Sequence, residues 1–214
     1  MKKNRYNIAV FLMFFFNIIG SCALLSPLLK PIILLFTPVN LLFIFLLFYW
    51  SHNDYSLVFI RLLAVVFSLG LAVEIIGVNY KFVFGEYSYG ETLGLKLFNT
   101  PLVMGINWLN LSLGSFGIIS FFTEKKFLLI LLSSLLMVSL DYIIEPIAIN
   151  LDFWSWQNVS VPTHNYFGWF FCAIIAQILI VFSEQKIKPK IAFGVLGSQL
   201  VFFLIQYLNY GNIS

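Results

Sequence analysis

The chain has 214 residues, of which 61% are hydrophobic and 10% charged, and its formal net charge is +3. This composition excludes an ordinary soluble domain and is typical of a protein that crosses a membrane several times. The basic residues form no concentrated stripe, which excludes a nucleic-acid-binding protein. Two cysteines and two histidines supply neither a disulfide framework nor a set of metal ligands.

Apolar stretches of about 20 residues, the length that crosses a hydrocarbon core about 30 Å thick, recur along the chain. Seven such stretches occur, at residues 6–25, 31–50, 57–80, 101–122, 127–149, 165–182 and 190–209. The sequence therefore predicts an all-α fold in which residues 1–214 form a single transmembrane domain, a bundle of about seven helices.

Most of the twelve Lys and Arg residues lie on one side of this predicted bundle. Nine are on that side, namely Lys2, Lys3, Arg5, Arg61, Lys125, Lys126, Lys186, Lys188 and Lys190, whereas Lys30, Lys81 and Lys96 are on the other. Because positive residues favour the cytoplasmic side, we expect the N-terminus to be cytoplasmic and the C-terminus to be outside. The first stretch also resembles a signal peptide, but its length and the lack of a small-residue cleavage pattern favour a membrane helix.

Three carboxylic acids lie inside the apolar stretches, where they are costly unless they are paired, hydrated or used in function. Glu74 is near the end of the third stretch, and Asp141 and Glu145 are near the end of the fifth. The helical rise places Glu74 and Asp141 at similar heights, about 20 to 25 Å from the inner surface. Asp141 and Glu145 are four residues apart and share one helix face. We expect the three acids to share a cavity near the outer side.

The loops next to these acids are rich in aromatic residues. Residues 80–92 contain Tyr87, Tyr89 and two Gly-Glu pairs, and residues 150–169 contain Trp154, Trp156, Asn165 and Trp169. An interfacial aromatic belt is the ordinary interpretation of the Tyr and Trp residues. It does not explain the Gly-Glu pairs, the adjoining acids, or the spacing of Asn107 and Asn110. An acidic pocket with aromatic walls explains these features together.

Ten short segments between residues 70 and 170 resemble a known family in their order and spacing. They are Glu74 to Asn79, Phe84 to Gly90, Leu93-Gly94, Pro101-Leu102, Asn107-Trp108, Asp141 to Pro146, Trp154 to Trp156, Val161-Pro162, Asn165-Tyr166 and Gly168-Trp169. This pattern resembles the membrane carotenoid-biosynthesis family that contains the carotenoid 1,2-hydratases, including the γ-carotene hydratases of bacteria and the bisanhydrobacterioruberin hydratases of haloarchaea.

The resemblance implies an enzyme, a hydro-lyase, that adds water across the terminal C1=C2 double bond of an acyclic carotenoid end and gives a tertiary alcohol. It implies that carotenoid and water are the partners and that no cofactor is used, whether oxygen, flavin or nicotinamide. It also implies an integral protein of a bacterial or archaeal cell membrane, with other enzymes of the carotenoid pathway as candidate partners.

The residues fit this reaction on chemical grounds. A carboxylic acid in apolar surroundings stays protonated and can act as a general acid, because desolvation disfavours its anion. Aromatic faces stabilise a carbocation without trapping it. Our hypothesis assigns Asp141 as proton donor, Glu74 and Glu145 as water-positioning base or proton relay, and Trp108, Trp154 and Trp156 as the cation-stabilising wall. The candidate substrate-binding residues are Trp108, Asn107, Tyr87, Tyr89, Trp154, Trp156, Asn165 and Trp169.

Several alternatives remain at this point. The acids could simply form hydrogen bonds between helices, and His164 could tune the pocket or be an ordinary loop residue. A carotenoid cyclase or isomerase would also protonate a polyene end, but its product would not gain water. A proton-coupled lipid carrier would use Glu74 and Asp141 to bind protons. Metal-dependent hydroxylases and desaturases are disfavoured, because they need about eight histidines and the chain has only His52 and His164.

Overall fold

The computed structural model of the protein describes residues 2–158 and 160–210. In this part of the chain there are eight helices and four short strands. The helices are α1 (Lys2–Ala23), α2 (Lys30–Leu35), α3 (Thr37–His52), α4 (Leu57–Tyr80), α5 (Val103–Ile119), α6 (Lys126–Asn150), α7 (Thr163–Phe182) and α8 (Pro189–Tyr210). The strands are β1 (Tyr87–Tyr89), β2 (Lys96–Leu97), β3 (Thr100–Pro101) and β4 (Trp154–Trp156). The predicted all-α fold is confirmed.

Helix α4 has the bounds predicted from its apolar stretch, and local signals explain both ends. The hydroxyl oxygen of Ser56 accepts a hydrogen bond from the Phe59 backbone N–H at 3.2 Å, which satisfies one of the free donors of the first turn. At the other end Lys81 adopts a left-handed conformation (φ 62°), and its N–H donates to the Gly77 carbonyl. These caps place Glu74 in the second-last turn of the helix, beside the loop that follows.

The second predicted helix, residues 31–50, is wrong in one respect, because the structure divides it into α2 and α3 at Phe36. Pro38 in the first turn of α3 has no N–H to donate to Leu34, and its ring disfavours a continuous helix through this point. A new helix starts instead, with the Asn40 N–H donating to the Phe36 carbonyl at 2.8 Å.

Five of the described helices are long and apolar enough to cross a membrane: α1, α4, α6, α7 and α8. Helices α3 and α5 are apolar but shorter, with 16 and 17 residues. The chain therefore has the helices expected of an integral membrane protein. The number of seven crossings and the orientation of the termini stay predictions.

Helix α5 is the centre of the bundle. It packs against α3, α4, α6, α7 and α8, and most of its residues are buried, including the small residues Gly105, Ser112, Gly114 and Ser115. Around it, α1 packs against α8 and α6 packs against α7. Small side chains allow such close approach between membrane helices. The central position of α5 brings its N-terminal half between α4 and α6, the two helices that carry the acids.

The strands were not predicted, and they join the two aromatic loops. Strand β1 pairs antiparallel with β4 in the register Tyr87 to Trp156, Ser88 to Ser155 and Tyr89 to Trp154. The pairing continues beyond the strands, since the Gln157 N–H donates to the Glu86 carbonyl and the Gly90 N–H donates to the Phe153 carbonyl, both at 3.0 Å. Strands β2 and β3 form a small hairpin before α5. The loops therefore form one ribbon over the end of the bundle that contains the acids.

Candidate active site

The alternation of side chains along β1 and β4 aims their aromatic residues at the acids. Successive side chains of a strand point to opposite faces. In the β1–β4 ribbon the tyrosines and Trp156 are buried, whereas Ser88 and Ser155 are exposed on the opposite face, with their hydroxyl oxygens 3.2 Å apart. The sequences Tyr-Ser-Tyr and Trp-Ser-Trp thus give the ribbon an inner face that carries hydrogen-bond donors.

Glu74 is buried and accepts hydrogen bonds from three aromatic side chains. The Tyr87 and Tyr89 hydroxyls donate to its Oε2 at 2.8 and 2.6 Å, and the Trp108 indole N–H donates to its Oε1 at 2.9 Å. The donors come from β1 and α5, so Glu74 links the ribbon to the central helix. Such bonds to a carboxylate are stronger than bonds between neutral groups.

Glu145 is held in the same way by the other strand. The indole N–H groups of Trp154 and Trp156 both donate to its Oε2, at 2.9 and 3.0 Å. Asp141, one helical turn earlier on α6, is also buried, and its Oδ2 accepts from the Asn165 amide of α7 at 3.2 Å. Asp141 thus has a single long hydrogen bond, whereas Glu74 and Glu145 have several short ones.

Close packing between helices fixes the position of Trp108. Its ring stacks on that of Trp169, with centroids 4.7 Å apart and an interplanar angle of 8°. A Cβ atom added at Gly70 would lie 2.3 Å from Trp108 Cγ, so this position in α4 has no room for any larger residue. Gly70 is one turn before Glu74 on the same helix face. The glycine therefore lets Trp108 come close enough to bind the acid.

Burial keeps the two tyrosines protonated. The pKa of Tyr87 and that of Tyr89 are raised well above the ordinary value, first by burial and then by the nearby charge of Glu74. Both lie in the loop outside the candidate spans. Their hydroxyl groups therefore remain donors toward Glu74 over the whole neutral and mildly alkaline range.

The three acids share one small cavity, which we call the acid cavity. It is lined by Glu74, Phe84, Tyr87, Tyr89, Met104, Asp141, Glu145, Trp154, Trp156, Asn165 and Trp169. Its volume is about 20 Å³, which is room for about one water molecule. The structure thus brings together the three acids and six of the eight residues that the sequence suggested for substrate binding. Their roles in binding or catalysis stay predictions.

Other parts of the expected pocket lie elsewhere. Trp108 donates a hydrogen bond to Glu74 but does not itself line the acid cavity. Asn107 lines a different cavity, which is described below. The carboxylates of the two Gly-Glu pairs point outward, where Glu86 pairs with Lys81 and Glu91 pairs with Lys96. These charges lie outside the acid cavity, so the interpretation that the pocket explains the Gly-Glu pairs is wrong.

Three further polar residues from the sequence interpretation also lie away from the acid cavity. The Asn110 amide donates to the Leu41 carbonyl at 3.1 Å and so ties α5 to α3. His164 is exposed in the first turn of α7, and His52 is half-buried between Phe48 and Phe59. None of the three lines the acid cavity.

Two lining residues were missed, Phe84 and Met104. Met104 is four residues before Trp108 and so lies on the same face of α5, a spacing that could have identified it. Phe84 directly precedes Gly85 in the aromatic loop, and its ring lies 6.1 Å from that of Trp169. Nothing in its local pattern distinguishes Phe84 from the neighbouring Phe82, which is exposed.

A second, larger cavity lies beside the first, and we call it the groove. Its volume is about 450 Å³, and it is formed by side chains of α1, the α2–α3 segment, α5, α6 and α8, with Leu93 and Phe153 from the loops. Among its walls are Phe16, Ile19, Ile44, Met104, Ile144, Trp154 and Phe203. Met104 and Trp154 belong to both cavities, so these two side chains stand between the groove and the acids.

Comparison with known proteins agrees with the sequence resemblance. A family model described as "Carotenoid biosynthesis protein" matches residues 30–212. A bisanhydrobacterioruberin hydratase from Haloarcula japonica is 28% identical over 122 residues, a region that covers 53% of this chain and 42% of that protein. The matched region is thus less than half of the relative's length. No solved structure matches the chain.

Proposed function

Because the chain belongs to the carotenoid biosynthesis protein family, we propose that it is a carotenoid 1,2-hydratase, which adds water to the terminal C1=C2 double bond of an acyclic carotenoid end. The observation that carries this proposal is the acid cavity, where three buried carboxyl groups and aromatic walls enclose room for about one water molecule. The name of the Haloarcula japonica relative adds support, since that protein is a hydratase of a carotenoid.

The reaction begins with a proton transfer from Asp141 to C2 of the double bond, which leaves a tertiary carbocation at C1. A water molecule then adds to C1 through its oxygen and gives up one proton to a second carboxylate, Glu74 or Glu145. Transfer of that proton back to Asp141 restores the starting state. The balance is one alkene plus one water giving one tertiary alcohol, and no oxidant or reductant is consumed.

The number of hydrogen bonds that each carboxyl group accepts supports this assignment of proton donor and base. Glu74 accepts three hydrogen bonds and Glu145 accepts two, all from O–H or indole N–H donors, and such donors stabilise a carboxylate anion. Asp141 accepts one bond, from Asn165 at 3.2 Å. Asp141 therefore has the least support as an anion and is the best proton donor. Glu74 and Glu145 are the better bases.

The aromatic walls suit the carbocation intermediate. Trp156, Tyr87 and Phe84 line the cavity, and the faces of such rings attract a cation. We assign Trp108 a different part from the one its sequence position suggested. Its indole N–H orients Glu74, while its ring supports Trp169, which is the residue that lines the cavity.

The test is expression of the protein in cells that make an acyclic carotenoid such as lycopene, followed by mass analysis of the pigments. The wild-type chain should give a product heavier by one water molecule for each reacted end. Asp141→Asn should abolish this product. The matched control is Asp152→Asn, because Asp152 is exposed, and asparagine tolerates its left-handed conformation (φ 57°).

Two outcomes would contradict the proposal. A product of unchanged mass with a shifted absorption spectrum would indicate a cyclase or isomerase, which loses a proton instead of adding water. Unchanged pigment with several acyclic substrates would indicate a carrier that binds the lipid without reacting it. Full activity in Asp141→Asn would be consistent with a hydratase but would contradict the assignment of Asp141 as the proton donor.

A further inference from the structure

The groove opens on the outside of the bundle at the junction of α1 with the α2–α3 segment. Several of its lining side chains are exposed there, including Ile19 of α1 and Phe36 and Val39 of the α2–α3 segment. In a bundle of membrane-spanning helices an exposed apolar surface faces lipid. The opening therefore gives access from the hydrocarbon phase of the membrane.

The chemistry of the groove selects a hydrocarbon. Its walls are mainly Phe, Leu and Ile side chains, with four amide side chains among them, Asn17, Asn40, Asn107 and Gln199. Asn40 Nδ2 donates to Asn17 Oδ1 at 3.3 Å, and Asn17 Nδ2 donates to the Met13 carbonyl at 2.9 Å and to the Ser198 hydroxyl at 3.2 Å. No Lys, Arg, Asp or Glu lines the groove among the described residues. A volume of about 450 Å³ lies within the usual range for sites of small organic ligands, about 300 to 1,000 Å³.

The groove also leads to the acids. Met104 and Trp154 line both cavities, and Trp154 donates to Glu145 while its ring forms part of the groove wall. Ile144, the residue before Glu145, lines the groove as well. A chain that lies in the groove and moves past Met104 and Trp154 would bring its end to the three carboxyl groups.

We infer that the groove is the binding site for the polyene chain, which enters from the lipid between α1 and the α2–α3 segment and passes its end to the acid cavity between Met104 and Trp154. This inference rests on the proposed function for the identity of the reacting end. The acid cavity alone has room for about one water molecule, so a site for the rest of a long substrate must lie outside it.

Gly20 offers a direct test, because it lines the groove and a Cβ atom added there meets nothing within 4 Å. Gly20→Phe should fill part of the groove without displacing the backbone. The matched control is Cys22→Phe, an exposed position two residues later on α1 that does not line the groove. Gly20→Leu is a smaller second variant, to be used where Gly20→Phe does not fold.

Binding is measured with lycopene and detergent-solubilised protein, from the absorption of pigment that co-elutes in gel filtration and from quenching of tryptophan fluorescence. All variants carry Asp141→Asn, so that no turnover occurs. Gly20→Phe should weaken binding at least about tenfold, because the added ring occupies the volume that the chain needs. Cys22→Phe should bind as the parent does.

Unchanged binding in folded Gly20→Phe and Gly20→Leu would overturn the inference, whether or not the wild-type chain hydrates carotenoids. Equal displacement of lycopene by phospholipid acyl chains would also overturn it, since the groove would then be a general lipid site. Weakened binding in the Gly20 variants together with an absence of hydration by the wild-type chain would leave the groove standing and remove the proposed reaction. The two proposals therefore fail separately.

Discussion

The acid cavity and the groove lie side by side, but the residues that line them differ in polarity. The acid cavity is small, and its carboxyl groups are held by phenol, indole and amide donors from β1, β4, α5 and α7. The groove is about twenty times larger in volume and mainly apolar, with no charged residue in its lining among the described residues. Buried charge is tolerated only where several donors converge on it, whereas a hydrocarbon needs space and no partners. The two proposed tasks, proton transfer and polyene binding, are therefore assigned to separate cavities that meet at Met104 and Trp154.

The largest difference between turnover and substrate binding is expected when a carboxyl group of the acid cavity is removed. Glu74→Gln should reduce turnover by about 10²- to 10⁴-fold, the usual contribution of a general acid or base, while lycopene binding in the groove stays unchanged. Steady-state turnover and gel-filtration binding would be compared with Glu91→Gln, which changes an exposed glutamate outside the cavity. Equal loss of binding and turnover in Glu74→Gln would contradict the separation.

Overpacking at Gly70 should affect the acid cavity through Trp108. The Cβ atom of Gly70→Ala would lie 2.3 Å from Trp108 Cγ, so the indole must move and its hydrogen bond to Glu74 must weaken. We expect a loss of about 1 to 3 kcal/mol in the free energy of unfolding and a lower turnover. Gly20→Ala, where the added methyl group meets open space, is the control for stability. A Gly70→Ala protein as stable and active as the wild type would show that Trp108 does not need this contact.

The two tryptophans of β4 should respond differently to the same change. Both donate to Glu145, but only Trp154 also lines the groove. Trp156→Phe removes one hydrogen bond to a carboxylate, worth about 1.5 to 3 kcal/mol, and should lower turnover without changing lycopene binding. Trp154→Phe should change both turnover and binding. Identical effects of the two variants would contradict the inference that Trp154 separates the groove from the acid cavity.

The smallest effect is expected from alkali, as the pH rises above about 10. Since the pKa values of Tyr87 and Tyr89 are raised well above the ordinary value, both phenols keep their protons while the unfolded chain begins to lose them near pH 10. The folded state then binds more protons than the unfolded state, so stability falls as the pH rises above about 10. Ultraviolet absorption of tyrosinate should show at least two fewer ionising tyrosines in wild type than after unfolding. Ionisation of Tyr87 near pH 10, detected by its loss in Tyr87→Phe, would contradict the buried hydrogen bond to Glu74.

Much of the acid cavity could be predicted from the sequence because each acid interrupts a long apolar pattern. Glu74, Asp141 and Glu145 are expensive in such stretches, and the rise of the helix gives their heights. Helix α4 was predictable to the residue, since polar residues precede it and its apolar run, interrupted by Arg61 and Glu74, extends as far as Tyr80. The loop residues Tyr87, Tyr89, Trp154 and Trp156 stood out through composition alone.

What could not be predicted depends on contacts between distant segments. The β1–β4 ribbon joins residues about 70 positions apart through strands of three residues each, which are too short for a periodic pattern. The groove has walls from five helical segments, so no single stretch of sequence contains its signal. The break at Phe36 follows from Pro38, but a proline near the start of a helix is also common, and the sequence alone does not separate these cases.

The register of the β1–β4 ribbon affects the order in which the acid cavity assembles as the chain is synthesised. A slip of either strand by one residue would turn its serine inward and remove its two aromatic donors at once, because neighbouring side chains face opposite ways. The donors to Glu74 come from β1 and α5, which precede α6 in the chain. Both donors to Glu145 come from β4, so Glu145 is not satisfied until the segment after α6 has been made and has paired with the earlier loop. Glu145 is thus the last of the two glutamates to gain its donors, and a chain halted before residue 154 would contain Glu145 without either indole N–H group.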